Sequence, residues 1–287
     1  MARNVTIENE HLKIDISTHG AEIQSFRDSS ENEYLWQGDP SVWSGRAPIL
    51  FPICGALAKG KFFLDKHTYK LDKHGFAQKS DFALESQNAT GASFILTDSE
   101  QTLASYPFSF ELRAIFTLEK STLKVEYRIY NRGDKTMYFS CGAHEAYALP
   151  DGIDGTRIIF EKEEKLLSYL IEGGLLSDNF EKIEADRDVL TLTASHFKEK
   201  SLIFKDIKSK SVTMVRSGDG KRVRVDYEGF DHLLLWQVEG AKYVCIEPWT
   251  GLPDTVDSCG NIAKKASITA LEAGKEKSFF HYITLLD

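Results

Sequence analysis

The chain has 287 residues, 42% hydrophobic and 27% charged, which supplies a substantial core and excludes a disordered chain. Its 43 acidic against 35 basic side chains leave a formal net charge of -8, which argues against nucleic acid as a partner, because phosphate binding calls for an excess of Lys and Arg. No apolar run approaches the roughly 20 residues of a membrane helix, and the N-terminus lacks an apolar signal core, so the expectation is a cytoplasmic protein without a membrane partner.

Period-two alternation of apolar and polar residues recurs along the chain and predicts short antiparallel strands. The first covers Leu12 to Ile16, the next Phe108 to Leu118, and the clearest Leu123 to Tyr130, where one side reads Leu, Val, Tyr, Ile. A turn follows at Asn131 to Asp134. Glu161 to Leu170 and Thr193 to Lys200 read as short helices without a long amphipathic stripe. Ser211 to Val215 and Lys221 to Tyr227 flank Ser217-Gly218-Asp219-Gly220, whose Asp-Gly pair suits a tight hairpin. A last strand is expected over Phe279 to Leu285. Many short strands and few helices predict an all-β fold, a large antiparallel β-sandwich in one domain spanning 1–287, with no linker or internal repeat to divide it. Cys54, Cys141, Cys245 and Cys259 form no CxxC pair and read as reduced thiols.

Four segments depart from the alternation with Gly, Pro, His or unexpected charge. In Trp43 to Gly55 the prolines Pro48 and Pro52 rule out a central strand, and Arg46 stands beside apolar residues, where it could hold a ligand oxygen or simply form a salt bridge. Lys73-His74-Gly75-Phe76-Ala77 follows a stretch with Lys59, Lys61, Lys66 and Lys70. Small residues surround His144 in Ser140 to Tyr147; Glu145 beside it faces the other way along a strand, and no HExxH spacing exists. Tyr243 to Asp254 is a strand-like run that reaches Glu247, is expected to stop at Pro248, and continues into Trp249, a flat ring suited to stacking on sugars. A carboxylate held at a strand end is where a general base could sit, and it equally reads as an exposed edge residue.

Together these segments resemble the aldose 1-epimerase family, the galactose mutarotase-like proteins, and in particular its bacterial branch associated with lactose operons. The markers are PILFPICG from Pro48 to Gly55, HGFA from His74 to Ala77, GAHEAY from Gly142 to Tyr147, and CIEPWTGLPD from Cys245 to Asp254. The resemblance implies a mutarotase-like sandwich and interconversion of the α and β anomers of a hexose by ring opening, with no cofactor and no metal. By position it makes Glu247 the base and His144 the acid, with Arg46 and His74 binding the small-molecule sugar, and Trp249 is added to the binding residues for its stacking ring.

One departure stands out: Lys200 occupies the place of an acidic residue in the branch, with Glu199 or Asp206 as local substitutes. Three other readings remain. The lysines from Lys59 to Lys73 could clamp a hexose 6-phosphate, and a noncatalytic sugar-binding protein could keep the pocket without the turnover. Glycoside hydrolysis would need Asp254 or Glu145 as a second carboxylate opposite Glu247. The assembly is open between monomer and homodimer.

Overall fold

The computed structural model describes residues 3–286. Its strands assemble into two large antiparallel sheets of nine and six strands, beside a three-stranded N-terminal sheet and two short two-stranded pairs, one a hairpin and one long-range. The longest strands, Phe110–Glu119, Thr122–Asn131 and Glu276–Leu286, lie side by side in the nine-stranded sheet in continuous antiparallel register. Along Phe110–Glu119 every second residue from Phe110 to Leu118 is buried, so one face enters the core and the other meets solvent.

The six-stranded sheet runs in the order Glu145–Ala148, Tyr243–Trp249, His232–Trp236, Leu202–Phe204, Leu167–Glu172 and Leu175–Lys182. Tyr243–Trp249 is buried at every position, which requires cover on both of its faces. Val244 and Ile246 enter the main core with Leu202, Leu233 and the inward residues of the nine-stranded sheet. Tyr243, Cys245 and Trp249 turn outward into two smaller clusters that include Trp36, Trp43, Trp236, Leu50 and Leu252. The inner face therefore builds the sandwich, and the outer face carries an aromatic layer roofed by loops. Where the large sheets meet, His281 Nε2 lies 2.9 Å from Glu145 Oε1, with both residues essentially inaccessible.

The hairpin expected at the Asp-Gly turn is present: Ser211–Val215 pairs with Arg222–Glu228, and Gly220 takes a φ of 69°. Two expectations are overturned. Glu161 to Leu170 is not a helix, since its second half enters the strand Leu167–Glu172, whose pairing with Leu175–Lys182 and Leu202–Phe204 outweighs weak local helical preference. Thr193 to Lys200 holds only the 3-10 turn Ala194–Phe197. Among the described residues the one α-helix is Glu100–Ser105, capped by the Ser99 side chain.

Candidate functional site

Backbone pairing stitches the four irregular segments together on the outer face of the six-stranded sheet. Leu50 bridges Gly142, Gly142 bridges Trp249, and Phe51 bridges Gly75. Pro248 does not stop the ladder as expected: the strand continues to Trp249, with Pro248 opposite Leu233. Proline lacks only a donor, and the Pro248 carbonyl is still used, accepting from the Ala143 N–H at 3.1 Å. That bond delivers the following residue, His144, to the strand that carries Glu247.

Two contacts are close enough to exclude a side chain. A Cβ on Gly75, which has a φ of 70°, would lie 2.3 Å from the Phe51 carbonyl oxygen, and one on Gly142 would lie 2.5 Å from Trp249 Cδ1. His74, just before Gly75, also takes a left-handed φ of 67°, a local strain that is characteristic of functional positions.

The result is a tight pair. His144 Nε2 lies 3.2 Å from Glu247 Oε2, and their side chains are 10% and 2% exposed. Aromatic rings hold the imidazole on three sides: Trp43 stacks on it at 5.3 Å, while Trp236 and His74 present edges at 5.6 and 5.9 Å. His144 Nδ1 is buried without a partner. The Gly55 N–H donates to His74 Nδ1 at 3.1 Å, which assigns the proton of the neutral His74 ring to Nε2.

Burial pushes both members of the pair toward their neutral forms. It raises Glu247 well above the usual carboxylate value, with Glu145 adding to the rise and Lys73 opposing it. It lowers His144 to about 3, helped by the charge of Lys73. His74 is also held well below its usual value by burial, by His144 and by Lys73. Glutamic acid with neutral imidazole carries the same number of protons as glutamate with imidazolium. The pair therefore holds one transferable proton and can present either group as donor.

A cavity of about 460 Å³ adjoins the pair, lined by Gly55, Lys73, Lys200, Trp236, Trp249 and Pro253 among others. Trp236 and Trp249 serve both, the first as a wall of His144 and the second at 5.3 Å from His74. A larger hollow of about 770 Å³ lies elsewhere, around Asp72, Lys79 and Asp98, and contains neither histidine of this cluster. Size favours the larger hollow, but the smaller, whose lining likewise includes none of His74, His144 and Glu247, shares Trp236 and Trp249 with their cluster, and that contact makes it the candidate.

His74, His144, Glu247 and Trp249 thus meet in one place. Arg46 does not point its charge there: its Nη1 donates to Gln24 at 3.0 Å and its Nη2 to the Gln37 carbonyl at 2.7 Å. Trp43, from the same segment, is the residue that reaches His144. Trp249 is 3% exposed, with its indole N–H donating to the Ala143 carbonyl at 3.2 Å, so it shapes the wall more than it offers a free face.

The lysines do not converge as a clamp, and of the five only Lys73 lines the cavity. Lys200 lines it too, paired with Glu181, and Glu199 supplies an acidic lining residue beside it, whereas Asp206 is engaged near His232. Neither second carboxylate needed for hydrolysis faces Glu247. Glu145 turns into the core toward His281, and Asp254 is paired with buried Lys265 at 2.9 Å. Trp43 and Trp236 were not singled out from the sequence: Trp236 ends the continuous apolar run Leu233-Leu234-Leu235, which has no alternation to mark its face, and nothing local marks Trp43.

The sequence pattern of the aldose 1-epimerase family matches residues 3–280. Protein LacX of Lactococcus lactis is 31% identical over 284 residues, covering 92% of this chain and 93% of its own. A galactose mutarotase related enzyme of Lactobacillus acidophilus superimposes with a TM-score of 0.92 at 30% identity, covering 99% of this chain and 98% of its own. A galactose mutarotase-like protein of Lactobacillus casei gives 0.93 at 28% identity, covering 99% and 100%. With the fold, the four converging segments and a family match over nearly its full length, the chain belongs to the aldose 1-epimerase family.

Proposed function

We propose that the protein is a cofactor-independent aldose 1-epimerase that interconverts the anomers of a free hexose. The observation that carries this reading is the 3.2 Å approach of His144 Nε2 and Glu247 Oε2 beside a cavity walled by tryptophans. Exchange at an anomeric carbon needs a base on the O1 hydroxyl and an acid on the ring oxygen, two oxygens attached to one carbon. An acid and a base this close can address both.

Glu247, as carboxylate, takes the O1 proton while His144, as imidazolium, gives its proton to the ring oxygen. The bond from C1 to the ring oxygen breaks, and C1 becomes an aldehyde. Rotation about C1–C2 presents the other face, and the two proton transfers run backward to close the ring as the opposite anomer. Each turnover returns the proton count of the pair to its starting value. Sugar hydroxyls entering the site supply the hydrogen bonds that the charged tautomer lacks in the free protein, where burial favours the neutral one. His74, with Nε2–H available, and Trp236 are the residues that would hold the ring, with Lys73 and Glu199 at the cavity wall.

Polarimetry of freshly dissolved α-D-glucose and α-D-galactose tests the reading. The approach to equilibrium rotation is expected to quicken in proportion to protein concentration with at least one of them. An unchanged rate with both, together with saturable binding, would favour a sugar-binding protein instead.

A further inference from the structure

We propose that Cys245 converts the His144–Glu247 pair into a binding site for a divalent cation of the zinc class, and that occupancy silences the pair. Cys245 and Glu247 are two residues apart on the strand Tyr243–Trp249, so their side chains share a face, and His144 is brought to that face by the Ala143–Pro248 hydrogen bond. One donor atom from each of the three residues lies within 4.8 Å of the others, and all three are buried.

A tetrahedral zinc ion with bonds of about 2.0–2.3 Å separates its ligands by roughly 3.3–3.7 Å, so closure shortens the widest separation by at most about 1.5 Å, shared between two side chains. The His144–Glu247 distance of 3.2 Å already meets that requirement. The donor set is one thiolate, one imidazole and one carboxylate, which suits zinc or cobalt and disfavours magnesium and calcium. With three protein ligands, the fourth position is left for water or a sugar oxygen from the cavity.

Charge supports the same occupant. A thiolate and a carboxylate together carry minus two, and neither is easily buried alone. A divalent cation with neutral imidazole makes the cluster neutral; the thiol proton, and the carboxyl proton where Glu247 holds one, leave for solvent as the metal binds. Once coordinated, His144 Nε2 has no lone pair for a proton and the bound Glu247 oxygen is a poor base, so anomer exchange stops. The ligation stands apart from the sugar reading, and only the silencing rests on it.

Cobalt provides the test, because its spectrum reports geometry and thiolate ligation without any turnover. Metal-free protein titrated with Co²⁺ is expected to develop a thiolate-to-cobalt charge-transfer band and the intense visible bands of a tetrahedral ion, both removed by Zn²⁺. Losing even an outer partner of a metal ligand typically costs 10–100-fold in affinity, so Cys245→Ala should bind about 100-fold more weakly or worse, and without the charge-transfer band. Cys259→Ala, which removes the one exposed thiol, should keep the band. If Cys245→Ala does not fold, His144→Gln serves in its place and should lose the tetrahedral spectrum. A wild-type protein that shows no charge-transfer band at saturating Co²⁺, or a band that survives Cys245→Ala, overturns the site. Should cobalt bind as described while Zn²⁺ leaves a measured exchange rate unchanged, the silencing is wrong. Absence of any exchange with wild type would instead count against the sugar reading.

Discussion

The contact between Glu145 and His281 places a polar pair at the junction of the two large sheets, one residue along the chain from His144. Their side chains are 1% and 0% exposed, with Nε2 and Oε1 2.9 Å apart. The second oxygen of Glu145 and Nδ1 of His281 have no partner, so each group depends on the other. Replacing one alone leaves the other buried and uncompensated, a change that typically costs about 3–5 kcal/mol. Against the 5–15 kcal/mol usual for a folded protein, that is a large share.

Glu145→Leu and His281→Leu are each expected to lose about that much in urea unfolding followed by tryptophan fluorescence. The double variant should lose less than either single one, because His281 is flanked by the rings of Tyr127 and Phe230, at 5.5 and 6.2 Å, and an apolar pair suits that surrounding. Single variants within about 1 kcal/mol of wild type would refute the reasoning, as would a double variant whose loss is the sum of the two.

Other outcomes follow from the same geometry. If burial lowers His144 to about 3, the pair gains its second proton only near that pH. The exchange rate, measured with a chelator present, should not decline between pH 6.5 and 4.5, and a fall with an apparent pKa near 6.5 would show an ordinary imidazole. On the alkaline side the rate should drop as pH rises through the elevated value of Glu247, where the pair loses its one proton. Gly142→Ala places a methyl 2.5 Å from Trp249 Cδ1 and should destabilise by about 1–3 kcal/mol while weakening sugar binding; an unshifted melting temperature would contradict that packing. Lys265→Met strips the buried Asp254 of a cation 2.9 Å away and should cost about 3–5 kcal/mol in the same unfolding assay, with no change meaning that the pair is not an anchor of its loop.

Strand class was legible because alternation at period two is a local signal that burial against one face enforces, as the even residues of Phe110–Glu119 show. The stretch from Glu161 misled, since a strand with mixed burial carries no clean period and takes its conformation from the partners on either side. Pro248 misled for another reason: a missing donor ends a ladder only where that donor is needed, and there the carbonyl does the pairing. His74, His144 and Glu247 were legible as candidates because their segments break the pattern and match a family's markers. Trp43 and Trp236 were not, because stacking across distant segments leaves no trace in local spacing. Arg46 carried the right chemistry in the right segment, but Gln24 and Gln37 hold its guanidinium elsewhere.

Glu247→Gln tests the central claim most directly, since it keeps the shape of the side chain and removes only its capacity to take a proton. General base catalysis typically contributes about 10²–10⁴-fold. With the sugar that the wild-type protein turns over, anomer exchange measured by NMR saturation transfer should fall by about that factor, with the unfolding midpoint unchanged or raised, because a buried ionisable group has been replaced by a neutral one. Exchange within a few fold of wild type in a folded Glu247→Gln variant would contradict the account.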